Sequence, residues 1–92
     1  MSLSGQTTVT TAGTEVALGS QPVNAAVMVK ALPVNTGVMY VGNTGAGVVS
    51  ASTGMPLSAG EVVIFDLVSN LANILVDAAV SGEGVAWLIL EA

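Results

Sequence analysis

The sequence predicts an all-β fold, a single small β-sandwich, jelly-roll-like or barrel domain of about eight short antiparallel strands with a flexible N-terminal arm. Three observations carry this. Short segments rich in Val, Ile and Leu recur along the chain. Gly, Pro and Asn signals break them about every 8 to 12 residues, the spacing of all-β sandwiches. The 92 residues suffice for one hydrophobic core and leave no room for a second domain.

Residues 1–12 read as the arm, because Met1 to Thr10 is small and polar with little to bury. Thr7–Thr11 has strand propensity within it. Two readings stand for the arm: a frayed terminus, or a strand that orders by adding to a neighbour's sheet edge. The domain proper spans 13–92, and the candidate strands are Thr7–Thr11 in the arm, then Glu15–Leu18, Ala25–Leu32, Val38–Gly42, Val48–Ala51, Glu61–Val68, Asn73–Ala78 and Val85–Leu90. Gly42 to Gly47 reads as a hairpin loop whose Asn and Gly accept positive φ; it lacks the Lys-Ser/Thr and the following helix of a phosphate-binding loop. Ser58-Ala59-Gly60-Glu61 and Ser81-Gly82-Glu83-Gly84 read as turns. A helix over Glu61 to Ala79 would gather Asp66, Asn70, Asn73 and Asp77 on one face, but Val62 to Phe65 and Ile74 to Val76 favour two strands around Ser69-Asn70. A short helical turn there is the alternative.

Several strands are apolar on both faces. Val27 and Val29 oppose Met28, Lys30 and Leu32; Val38 and Tyr40 oppose Met39 and Val41; Val62 and Ile64 oppose Val63 and Phe65; Trp87 and Ile89 oppose Leu88 and Leu90. An antiparallel sheet in a small monomer normally wets one face, so two-sided strands predict that the second face is also covered. Charge points the same way. A folded chain of 9.0 kDa exposes about 4,900 Å², and its seven charged side chains give roughly one charge per 700 Å². Ala and Val do tolerate exposure, but charge depletion and two-sided strands together favour burial against another copy or another protein. The candidate interface residues are Thr7, Thr8, Val9 and Thr10 in the arm and Met28, Lys30, Met39 and Leu88 on the strands.

The composition removes most catalysis. With no His and no Cys there is no Ser-His or Cys-His pair, no zinc ligand set and no disulfide framework. Lys30, the one basic residue, lies inside an apolar strand and reads as a lone cation pairing or snorkelling at an interface. Glu15, Glu61, Asp66, Asp77, Glu83 and Glu91 are dispersed, with no calcium-loop spacing. Tyr40, Phe65 and Trp87, all within strands, read as core and not as sugar platforms. No catalytic, metal or cofactor site is expected, and the chain is read as no enzyme. A net charge of −5 and pI ≈ 4.1 disfavour nucleic acid and anionic membranes as partners. Mean hydropathy of +0.83 invites a membrane reading, yet no continuous apolar span of about 20 residues exists. The start Met1-Ser2-Leu3-Ser4 lacks the features of a secretory signal, so cytoplasmic synthesis is expected.

The run Val29-Lys30-Ala31-Leu32-Pro33, then Asn35-Thr36-Gly37, Tyr40-Val41-Gly42, Thr53 to Glu61, Val76-Asp77-Ala78-Ala79 and Gly82-Glu83-Gly84-Val85 resembles small virion proteins of tailed bacteriophages, some of which are capsid decoration, or cement, proteins. The resemblance spans about Val27 to Leu90, and Met1 to Asn24 adds nothing to it. It implies a structural role on the outer capsid surface, partners that are other copies of the chain (a trimer or dimer) and a major capsid protein, and no cofactor or catalytic residues. Deleting Met1 to Thr10 is then expected to weaken attachment while leaving the fold intact. Two other functions stay open: a tail, fibre or head-to-tail component, and a soluble glycan-binding β module, which the few aromatics disfavour.

Overall fold

Where Val, Ile and Leu crowd together the chain is extended and paired, as the preference of β-branched side chains for a pleated surface dictates. The computed structural model describes residues 4–43, 49–50 and 52–90. In them lie eight strands: β1 (Ser4–Thr8), β2 (Val16–Ala17), β3 (Pro22–Ala31), β4 (Met39–Asn43), β5 (Met55–Leu57), β6 (Val62–Asn70), β7 (Ile74–Ala78) and β8 (Gly84–Leu90). They form two four-stranded sheets, sheet A in the order β1-β8-β3-β6 and sheet B in the order β2-β7-β4-β5, with antiparallel pairing throughout. The pairs nest as β1 with β8, β2 with β7, β3 with β6 and β4 with β5, alternating between sheets. That is the order obtained by rolling up one long hairpin, the jelly-roll form of a sandwich.

The core lies between the sheets. Val27, Val29, Ala31, Val85 and Ile89 of sheet A face Met39, Val41, Ile74, Val76 and Ala78 of sheet B, all buried. The register fixes these faces: Met39 sits opposite Ala78 and Val41 opposite Val76, so Tyr40, Gly42, Leu75 and Asp77 take the other side of sheet B. Two irregularities bend the long β3–β6 pair. β3 carries an extra residue between Pro22 and Ala25, where Asn24 takes φ 47°, a conformation Asn tolerates better than most side chains. β6 carries its own between Phe65 and Val68. After β6 the chain makes a 3₁₀ turn, Leu71–Asn73, whose Asn70 Oδ1 accepts from the Ala72 N–H at 2.9 Å and the Gln21 N–H at 3.1 Å. The two strands expected within residues 61–79 are thus both present, and the short helical turn given as the alternative lies between them at Leu71–Asn73.

Three expectations change. The loose arm over residues 1–12 is corrected: Ser4–Thr8 forms edge strand β1 against β8, and Val9 is fully buried in the core. Alternate Thr and Ser side chains of an edge strand can face water, so polarity did not betray the pairing. Gly5 is part of the reason that it fits, since a Cβ there would lie 2.7 Å from the indole of Trp87 opposite it. The strand expected at Val48–Ala51 is not formed at Val49 and Ser50; Val48 and Ala51 lie outside the described residues, as do 1–3, Glu91 and most of the expected loop at Gly42 to Gly47. Instead Met55–Leu57 pairs with β4, placing Pro56 on the edge of sheet B, where a missing N–H costs no ladder bond.

Carboxylates brace the loops. Glu83 accepts from the Thr36 N–H at 2.6 Å, the Thr36 hydroxyl at 2.9 Å and the Gly37 N–H at 2.9 Å. The backbone donors Thr36 and Gly37, in that order, hold its carboxyl below the usual carboxylate range, with the Thr36 hydroxyl adding to them. A depressed folded-state pKa gives stability that is complete above the unfolded-state value of about 4.3 and is lost as pH falls through the lower folded value. Thermal melts of the protein and of Glu83→Gln should therefore differ most near pH 7 and converge below pH 4. A gap in Tm that stays constant to pH 3 would contradict this assignment.

Candidate functional site on an open sheet face

The two outer faces of the sandwich differ. On sheet B the chain covers itself. Val49 is 1% exposed and lies over Gly42, where a Cβ would stand 2.8 Å from its Cγ2. Gly54 closes on Tyr40 in the same way, its added Cβ 2.7 Å from that of Tyr40. On the other side Asp77 Oδ1 accepts from the Gly13 N–H at 2.9 Å, and Glu15 ties the two covering segments together by accepting from the Val49 N–H at 2.7 Å. Asp77 is consequently buried although it points away from the core.

Sheet A has no such cover among the described residues. The period of two places Ala26, Met28 and Lys30 of β3, Val62 and Ile64 of β6, and Ala86, Leu88 and Leu90 of β8 on its outer face, and the β6 bulge leaves Asp66 and Leu67 exposed beyond Phe65. Ser4, Gln6 and Thr8 of β1 complete it. Ile64 is 50% exposed, Val62 44% and Leu88 38%. An open groove of about 450 Å³ runs between β1 and β3, floored by Met28, Ala86 and Leu88 and flanked by Gln6 and Lys30. Monomeric proteins seldom leave a contiguous apolar sheet face in water.

Among the described residues, charge on this face is confined to Lys30 and Asp66, both exposed. Neither side chain has a hydrogen-bond or ion-pair partner among the described residues. The other carboxylates described are engaged: Glu15, Asp77 and Glu83 as above, and Glu61 with the Ser58 N–H at 2.6 Å. No three of them cluster among the described residues.

Of the residues singled out from sequence, Met28, Lys30, Leu88 and Thr8 share this outer face. Val9 and Met39 are corrected: both are fully buried and belong to the core. Thr7 turns inward, its hydroxyl donating to the Leu18 carbonyl at 2.7 Å. Thr10 is exposed in the loop after β1. Sequence reasoning did not pick out Val62, Ile64 and Asp66 as members of the site. The signal was present in the alternation of Val62 and Ile64 with Val63 and Phe65, but alternation separates two faces without saying which is inward. Comparisons with protein-family models, with curated proteins and with solved structures returned no match.

Proposed function

We propose that this chain is a non-enzymatic structural subunit of a larger particle, of the capsid decoration or cement type, which self-associates and attaches to a major capsid protein on the outer surface of a virion. The observation that carries this reading is the open apolar face of sheet A, opposite a sheet that the chain covers itself. The resemblance of Val29 to Val85 to small phage virion proteins supplies the particle, and jelly rolls recur in viral capsid and lectin domains. Such a subunit works by area and number: each contact is modest, and many copies bridging neighbouring shell subunits raise the energy needed to part them.

The test is the molar ratio of this chain to the major shell protein in purified particles, by quantitative mass spectrometry. A ratio near one, or a simple fraction such as one third, is expected. A handful of copies per particle would move the chain to a tail, fibre or head-to-tail position. A glycan-binding role has one observation in its favour, an opening on sheet B lined by Tyr40, Ser50, Ser52 and Asp77. Against it, Asp77 is already engaged by the Gly13 and Ala78 N–H groups, and a glycan array without hits would dispose of it.

A further inference from the structure

We propose that the outer face of sheet A is a two-fold interface between two copies of this chain, centred on the Met28–Ile64 rung, with Lys30 of each copy against Asp66 of the partner subunit. The inference rests on the assembly reading above and names the occupant of its open face.

The register places the charges. Lys30 sits opposite Val62 and Met28 opposite Ile64, in an unbroken ladder that continues to Val27 and Phe65. Lys30 is two residues from the Met28–Ile64 rung in one direction; in the other, Asp66 follows Phe65 at the start of the β6 bulge and is exposed, with Leu67 exposed beside it. At about 3.4 Å per residue Lys30 lies roughly 7 Å from the rung, and Asp66 at most about that far on the other side. A half-turn about an axis between two stacked faces, perpendicular to the strands and over that rung, reverses the strand direction and keeps the strand positions. It brings Lys30 over Asp66 of the partner subunit, displaced sideways by one strand spacing of about 4.8 Å, and does so twice. A lysine stem spans that displacement easily, and stacked sheets about 10 Å apart leave the apolar side chains in contact. On the rung Met28, Ile64 and Leu88 meet their own kind, and Val62 lies against the Asp66 end of β6 of the partner subunit.

Three further facts favour a second copy over an unrelated partner. An isologous interface must be complementary to itself, and this face holds one cation and one anion on opposite sides of an apolar centre. The chain carries −5 overall and its single basic residue is on this face, so two copies repel each other least here. The domain measures 33 × 27 Å across its broad dimensions; taken as an ellipse that is roughly 700 Å², near the ~800 Å² per partner of a standard interface.

Sedimentation equilibrium of the full chain tests the proposal. The protein should sediment at twice its 9.0 kDa mass. Lys30→Asp alone should weaken the dimer at least about tenfold by putting carboxylates face to face, and Asp66→Lys alone should do the same with cations. The double variant K30D/D66K should return to within about threefold of the unaltered protein, a rescue that general surface damage does not produce. Ile64→Arg should abolish the dimer, and circular dichroism should show all four variants folded, since each site is exposed. A chain that stays monomeric at about 100 μM, or an oligomer indifferent to I64R and both single charge reversals, overturns the proposal. The particle ratio above then decides separately whether the assembly reading survives with the shell protein on this face.

Discussion

Removing residues 1–9 is expected to unfold the domain or bring it to the edge of unfolding. Val9 is fully buried, and losing its side chain from the core costs about 1.5–3 kcal/mol. Its N–H donates to the Glu83 carbonyl at 2.9 Å and its carbonyl accepts from the Gly82 N–H at 2.8 Å. The Thr7 hydroxyl holds the Leu18 carbonyl, and each such bond contributes about 1 kcal/mol. The deletion also strips β1 from β8 and uncovers the indole of Trp87 beside Gly5. Together these reach on the order of 5 kcal/mol, comparable with the whole stability of a small domain. Urea unfolding of residues 10–92 beside the full chain measures it. An unchanged midpoint would restore the view of this segment as a dispensable arm.

The second large effect separates two methionines that look alike in sequence. Met39→Ala should lose about 2–5 kcal/mol, because Met39 is among the largest fully buried side chains and sits in the ladder between Leu57 and Ala78. Met28→Ala should lose less than about 1 kcal/mol of monomer stability, because Met28 lies on the open face beside Ile64 and Leu88. Denaturation of both variants in dilute solution, below the association range, gives the comparison. Equal losses would mean that the outer face of sheet A is as well covered as the core.

These two cases show how far the sequence could be read. All-β class and most strands were legible because Val and Ile runs between Gly and Asn turns leave few alternatives. β1 was assigned to an arm because one buried residue, Val9, anchors an otherwise polar segment, and hydrophobic periodicity has nothing to register there. β5 went unseen because it is three residues long and contains Pro56, too short for an alternation to register. In β3 and β4 the two-sided pattern had different causes. Met28 does face outward, whereas β4 is two-sided because the core takes Met39 and Val41 while Val49 and Gly54 close over Gly42 and Tyr40. Self-coverage and partner coverage leave the same mark on a strand, and loop contacts tell them apart. Lys30 was legible as a lone charge in an apolar strand; Asp66 was not singled out, because setting it on the same face as Lys30 requires the β3–β6 pairing.

The place of β8 also shapes how the domain comes to be. It follows every other strand in the chain, yet in sheet A it lies between β1 and β3. On a ribosome, therefore, β1 and one edge of β3 wait without their partner until residues 84–90 have emerged, and closure of sheet A is a late step. Joining Thr7 to Val85 and Ser4 to Leu88 spans most of the sequence, and such distant pairings slow the search for the native state. Folding in milliseconds to seconds, slow for so short a chain, is the kinetic counterpart of this topology.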